Sequence, residues 1–264
     1  MTPAPVGEQL REWRIRRRMS PMDLALDTEI STRHLSFIET GRSRPSALML
    51  QRIADCLEVP NRARNAMLLA AGYAPDYRER DLDSPEMAGM KAIVDHVLKG
   101  HEPYPALAVD RHWNMIAANG AVALLTRLAA PDLLEPPVNV LRVALHPDGL
   151  ARHIVNLGEW RAHLLERLDH QIDASADAGL VALRTELADY GNRADGHDGS
   201  AANGIAVPLI LDTPLGQIRF VSTVTIFGTP VDITLSELAL ETFFPADDAT
   251  AAALRAMAEA RRES

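Results

Sequence analysis

The chain has 264 residues, 47% of them apolar and 24% charged, and a net charge of −9. These values fit two ordinary folded domains and exclude a disordered chain, and no apolar run approaches the roughly 20 residues of a membrane span. The first residues, MTPAPVGEQLREWRIRRRMS, lack the apolar stretch of a secretory signal. A single cysteine, Cys56, excludes an internal disulfide framework and a Cys-rich zinc site. The expected location is the cytoplasm, and Cys56 reads as a small core residue on a helix. Charge is uneven. Residues 1–72 carry eleven Arg, no Lys and eight acidic residues, a net +3, while the remainder carries 16 basic and 28 acidic residues, a net −12. A basic head on an acidic body points to a nucleic-acid partner for the head alone.

Five short helices are expected in the head. The first spans about Val6–Arg18, with Leu10, Trp13 and Arg14 toward its inner side. Ser20 is placed to cap the second, with Pro21 at its first position, Asp23 at the capping-box position, and Leu24 and Ala25 on its apolar face. After the turn Glu29-Ile30, Ser31 caps a third helix over Thr32–Thr40, which stops at Gly41. Ser46 caps a fourth, where Leu50, Ile53, Ala54 and Leu57 recur at helical spacing, and a fifth covers about Arg62–Ala71 and ends at Gly72.

The second and third helices make a helix-turn-helix, whose second helix offers its N-terminal end to the major groove. That end is Ser31-Thr32-Arg33-His34. Arg33 suits the fork onto guanine O6 and N7, Thr32 a thymine methyl or a phosphate, and Phe37 an apolar contact to a thymine methyl. Leu35 and Ile38 must point inward. Glu39 is expected to pair with Arg14, and Arg42 and Arg44 to clamp phosphates. The run Ser20 to Ala25, then Ser31-Thr32-Arg33-His34-Leu35-Ser36-Phe37-Ile38-Glu39-Thr40-Gly41-Arg42 and Arg44-Pro45-Ser46, resembles the XRE/Cro-like repressor family. The resemblance implies a lambda-repressor-like five-helix fold, base-reading positions at Thr32, Arg33 and Phe37, and Ser36 close beside them. It also implies a departure. The family often has a phosphate-gripping Gln where this chain has Pro21, so that contact is lost or replaced by the backbone.

The expected layout is a DNA-binding domain over residues 1–74, a linker over 75–87 and a second domain over 88–264. The second domain reads as α+β. Helix is expected over 87–99, then strands over Pro105–Asp110 and Trp113–Ala118 around the turn Asp110-Arg111-His112. A helix over Gly120–Leu128, a loop over Pro131–Pro137 and a mostly helical stretch over 138–190, broken near 147–149 and 174–178, come next. Gly191–Asn203 reads as a flexible surface loop. Three strands then follow over Gly204–Leu211, Gln217–Phe227 and Val231–Glu237, and a helix over Ala249–Arg262 closes the chain. Residues 218–227, apolar at nearly every position, read as a central strand covered on both faces.

From about residue 88 the chain resembles the MmyB-like ligand-binding domain, which is PAS-like, through Pro105–Asn119, Val138-Asn139-Val140-Leu141-Arg142 and the segment Ile154–Leu165 around Trp160. The resemblance implies a PAS-like antiparallel sheet of about five strands and a small apolar or fatty-acid-like ligand. A carboxylate inside a dry wall needs a cationic or hydrogen-bonding partner, for which Asn119, Arg142, Arg152, His153 and Trp160 are the candidates. His163, Glu166 and His170 share a helix face at metal-binding spacing, but read better as a solvated face. The chain has no H-E-x-x-H, no G-x-S-x-G and no phosphate-cradling glycine loop, so neither catalytic residues nor a cofactor nor a metal is expected. The expectation is a homodimeric regulator that binds a double-stranded DNA operator and is switched by a small effector, without a membrane partner. A protein-interaction module with the same head and, more remotely, a catalytic body are the competing readings.

Overall fold

The computed structural model describes residues 4–191, 207–214, 216–227 and 232–262. They form two compact units, one drawn mainly from Met1–Glu79 and the other mainly from Arg80–His170, Asp177–Pro230 and Thr234–Ser264.

The first unit holds α1 (Val6–Arg16), α2 (Pro21–Asp27), α3 (Thr32–Glu39), α4 (Ala47–Cys56) and α5 (Asn61–Ala70). Three serines start three of these helices. The Oγ atoms of Ser20, Ser31 and Ser46 accept from the backbone N–H groups of Asp23, His34 and Met49 at 3.1, 3.1 and 3.2 Å, which satisfies a donor that the helix itself cannot. Asp23 contributes differently from a reciprocal capping box, since its Oδ2 accepts from the Ser20 hydroxyl at 2.6 Å.

The helix ends share one device. Arg18, Glu29, Gly41, Glu58 and Gly72 follow α1 to α5 in turn, and all have positive φ, between 47° and 77°. After four of these helices a closing bond runs back five residues, as in Met19 N–H to Arg14 O at 3.0 Å and Val59 N–H to Ala54 O at 2.9 Å. Only two of the five stops are glycine, which is why the sequence announces Gly41 and Gly72 and hides the other three.

Leu10, Trp13, Leu24, Leu35, Ile38, Leu50, Ile53, Leu57 and Met67 close a single core. Cys56 is partly buried against it. Burial, then the nearby Asp27 carboxylate, pushes its thiol pKa up. The tightest approach lies between α1 and α3, where a Cβ on Gly7 would fall 2.4 Å from Ile38 O and 2.6 Å from Glu39 O. Only glycine permits that contact. Beside it, the expected Arg14–Glu39 pair is present and two-pronged, with Nε to Oε1 at 2.7 Å and Nη2 to Oε2 at 2.9 Å.

The second unit is α+β and PAS-like. It contains α6 (Ala88–Gly100), β1 (Ala106–Val109), β2 (Met115–Ala118), α7 (Ala123–Thr126), α8 (Val140–Leu145), α9 (Leu157–Ser175) and α10 (Ala178–Gly191). After these come β3 (Leu209–Thr213), β4 (Gly216–Ile226), α11 (Ile233–Ser236), β5 (Ala239–Pro245) and α12 (Asp248–Arg262). The five strands pair antiparallel in the order β2-β1-β5-β4-β3. Leu107 lies opposite Glu241, and Glu241 opposite Val224, so these three side chains share a face. The other face carries Ala106, Ala108 and Leu240, buried with Val94 and Leu98 of α6.

Three expectations need correction. Val231–Glu237 is not the last strand. Residues 233–236 form α11, and the strand is β5, whose buried Glu241 and terminal Pro245 disguise it; Val231 lies outside the described residues. Trp113 does not open β2. Its φ of 67° puts it in the turn, where its N–H bonds to Asp110 O. Finally, β4 is not covered on both faces throughout, because Thr223–Ile226 is exposed and Ile226 is 59% accessible. The loop expected over Gly191–Asn203 falls almost wholly among residues that are not described.

Glu58 occupies a left-handed position, and its carboxylate sits at the negative end of α4. Glu58→Gly therefore removes both strain and dipole repulsion, and it should stabilise the first unit by about 0.5–1 kcal/mol. A rise in the urea midpoint with an unchanged m-value is the expected reading.

Candidate nucleic-acid interface and ligand cavity

On α3 the inward and outward residues separate cleanly. Leu35 and Ile38 are fully buried, while Ser31, Thr32, Arg33 and Ser36 are exposed and Phe37 is half-buried. Phe37 organises two cations. The Arg33 guanidinium carbon lies 5.4 Å from the centre of its ring and that of Arg42 lies 5.9 Å away. Arg44 stacks on a different ring, Tyr73, at 4.7 Å, and the Tyr73 hydroxyl donates to Pro45 O at 2.9 Å. The two exposed serines differ in duty. Ser31 spends its Oγ on the helix cap, whereas the Ser36 carbonyl accepts from the Thr40 hydroxyl at 2.7 Å. Pro21 is exposed at the first position of α2, where it has no N–H to offer a phosphate.

The five ligand candidates of the second unit do not converge. Asn119 is buried and its amide is engaged within the fold. Its Oδ1 accepts from Ala106 N–H at 3.1 Å, and its Nδ2 donates to Leu98 O and Tyr104 O at 3.1 and 2.8 Å, tying the end of α6 to β1. Arg142 makes a two-pronged pair with Glu186 at 2.8 Å, which raises its own pKa and lowers that of Glu186. Arg152 donates to Leu128 O at 3.2 Å and lies against His153. Trp160 alone lines a cavity.

That cavity, about 60 Å³, lies between the sheet and the helices α7, α8 and α9. Its wall is almost entirely apolar, with Leu107, Val122, Val143, Leu164, Leu209 and Phe243 among its lining. The polar exceptions are Thr126, Trp160 and Glu241. Trp160 is 3% exposed, and its Nε1–H finds no acceptor among the described residues. Glu241 is 5% exposed and its Oε1 accepts from both Nη1 and Nη2 of Arg167, at 3.2 and 3.1 Å. The Arg167 guanidinium in turn lies 4.2 Å from the Trp113 ring centre. Sequence reasoning missed Glu241 and Arg167. The signal available was a lone carboxylate inside the apolar run LALETFFP.

The three residues at metal-binding spacing also part company. His163 is half-buried, 5.5 Å from the Trp160 ring, while Glu166 and His170 are exposed. Among the described residues no three His, Cys, Asp or Glu side chains are grouped to hold a metal. Burial, and then the Arg167 charge, holds the His163 pKa below its usual value. The unfolded chain therefore binds more protons than the folded one just below pH about 6.5, and stability falls as pH falls through that window. His163→Gln should flatten the decline. Melting temperatures between pH about 7.5 and about 5.5, compared for variant and wild type, measure it.

Residues 90–257 match the family described as "MmyB-like transcription regulator ligand binding domain", and residues 5–67 match a "Helix-turn-helix domain". No curated protein matches the chain. One solved structure with some likeness is described as "Structure of an RNA-binding Light-Oxygen-Voltage Receptor", at 13% identity and a TM-score of 0.25. The alignment covers 97% of this chain and 63% of that one, and a score so low carries no argument. No helix among the described residues is long and apolar enough to cross a membrane.

Proposed function

This chain belongs to the MmyB-like transcription regulators, with a helix-turn-helix domain and a ligand-binding domain, and from that premise we propose how each half works. The first turn of α3 enters the major groove of a duplex operator. Arg33 forks onto a guanine, with Thr32, Ser36 and Phe37 beside it and Ser31 holding the helix start, while Arg42 and Arg44 contact phosphates on either side. One head buries limited surface, so two copies read paired half-sites as a homodimer. The observation that carries this reading is the split on α3, where exposed Thr32, Arg33 and Ser36 stand over the buried anchors Leu35 and Ile38.

The second domain binds a small apolar or amphipathic effector in the cavity lined by Trp160. At about 60 Å³ that space is several times what one water needs, roughly 10–15 Å³, which favours a compact molecule over a long acyl chain. Binding shifts the population between arrangements of the two heads that fit or misfit the half-sites, and a typical coupling of this kind is worth about 1–3 kcal/mol. The protein works as a regulator and not as an enzyme, in the compartment that holds the DNA.

Two variants separate base reading from phosphate clamping. Arg33→Ala should cost about 1–3 kcal/mol in operator affinity and relax preference at one base position, as measured by binding to a library of single-base operator changes. Equal loss on operator and random duplex removes Arg33 from base reading. Arg44→Ala should weaken binding to every sequence and reduce the salt slope by about one unit. A slope that stays put in a salt titration removes Arg44 from phosphate contact.

A further inference from the structure

We infer that α9 carries the state of the cavity to the DNA-reading head, with Arg16 and Arg17 of α1 as the residues that receive it. This rests on reading the Trp160 cavity as the effector site, and it goes further by assigning the regulatory path from that site. α9 is one continuous helix of 19 residues, or about 28 Å of helical rise. Residues 157–170 belong to the second unit, where Trp160 and Leu164 line the cavity and Arg167 grips Glu241 of the central strand. The segment that ends the helix, Gln171–Ala176, clusters with the first unit. Ala176 stops it in the left-handed conformation, at a φ of 56°.

A helix leaves its last carbonyls without amide partners and ends negative. Two arginines of α1 answer both needs. Arg16 Nη1 donates to Ile172 O at 3.1 Å and lies 3.8 Å from Asp173 Oδ1. Arg17 Nη1 donates to Asp173 O at 3.1 Å, and its Nη2 to Ala174 O at 3.3 Å. The same guanidinium holds the end of α4, with Nε to Leu57 O at 2.9 Å and Nη2 to Glu58 O at 3.1 Å. It also lies over the ring of Trp13, a member of the head's core. One planar fork thus closes two helices at once, and its bonds cannot all follow if one helix moves against the other. A displacement of about 1 Å away from α1 carries the bonds to α9 out of hydrogen-bonding range. The contact is either held or released, the kind of two-state element through which distant sites are coupled. From α1 the path to DNA reading is short. Arg14 donates to Met19 O just after the helix and to Glu39 at the end of α3.

The test is the duplex affinity of the full-length protein with and without a saturating cavity probe. The probe is hexanol or hexanoate, whichever binds more tightly by isothermal titration, and the duplex is the one that wild type selects from a random library. The probe should change wild-type duplex affinity at least about fivefold. Arg16→Lys combined with Arg17→Lys keeps both charges and loses the fork. Its probe binding and its duplex affinity without probe should stay within about twofold of wild type, while its response to the probe falls below about twofold. A role of the two arginines in stability alone lowers the melting temperature and leaves the response intact. Because Arg17 also closes α4, wild-type amide exchange supplies a second measurement that needs no variant. The probe should alter protection over residues 14–19 and 171–176 together. A full response in the double variant, or altered exchange over 171–176 without 14–19, overturns the α9 path while leaving the cavity as effector site. A probe that binds wild type without changing its duplex affinity overturns the coupling. No heat from either probe overturns the cavity reading on which the path rests.

Discussion

Everything the head does depends on how α3 is held, and the Arg14–Glu39 pair holds it. Both side chains are 9% exposed, and the guanidinium meets the carboxylate with two donors, while its third nitrogen donates to Met19 O at 3.1 Å. Arg14 is thus tied to the end of α3 and to the start of the turn before α2. Its pKa is raised by the Glu39 bond despite burial. A pair buried this deeply adds little net stability, but either charge left alone costs about 3–5 kcal/mol. Its value is geometric, since few other arrangements of α1 and α3 keep both charges satisfied. The glycine contact at Gly7 reinforces the same register from the backbone side. With the C-terminal end of α3 fixed, its first turn, some two turns away, has a defined direction.

The body follows a related logic with a different aim. Trp113, Arg167 and Glu241 form a chain of contacts from a turn, through a helix, to the central strand of the sheet. Each member constrains the next. The Trp113 turn is itself set by Asp110, whose Oδ1 accepts from His112 N–H and Asn114 N–H at 2.8 Å. A carboxylate is thereby held at a fixed point in a wall that is otherwise hydrocarbon. Such a point costs stability unless the charge is paired, as it is here by Arg167.

How much of this was legible in the sequence differs between the halves for a physical reason. The head is encoded locally. Ser20, Ser31 and Ser46 cap helices that begin at the next residue, and Gly41 and Gly72 stop them, so the signal and its effect lie within four residues. Even the Arg14–Glu39 pair follows once those helices are placed. The body is encoded at a distance. Arg142 is engaged by Glu186 and Arg167 by Glu241, 44 and 74 residues away. A cation on a helix therefore looked available when it was spoken for. The alternation of Val231, Ile233 and Leu235 looked like a strand, while the true strand β5 carried a charge at its buried centre. Sequence periodicity detects apolar faces and is blind to a face whose polar residue is paired across the fold.

All eleven Lys and Arg side chains in residues 1–72 are arginine, and several lie over aromatic rings, as Arg17 does 5.2 Å from the Trp13 ring centre. A guanidinium keeps its proton across every pH a cell reaches, and it offers no amine to an acetyl donor. The pull of these side chains on a duplex is thus closed to lysine acetylation, and ionic strength is the variable that tunes it.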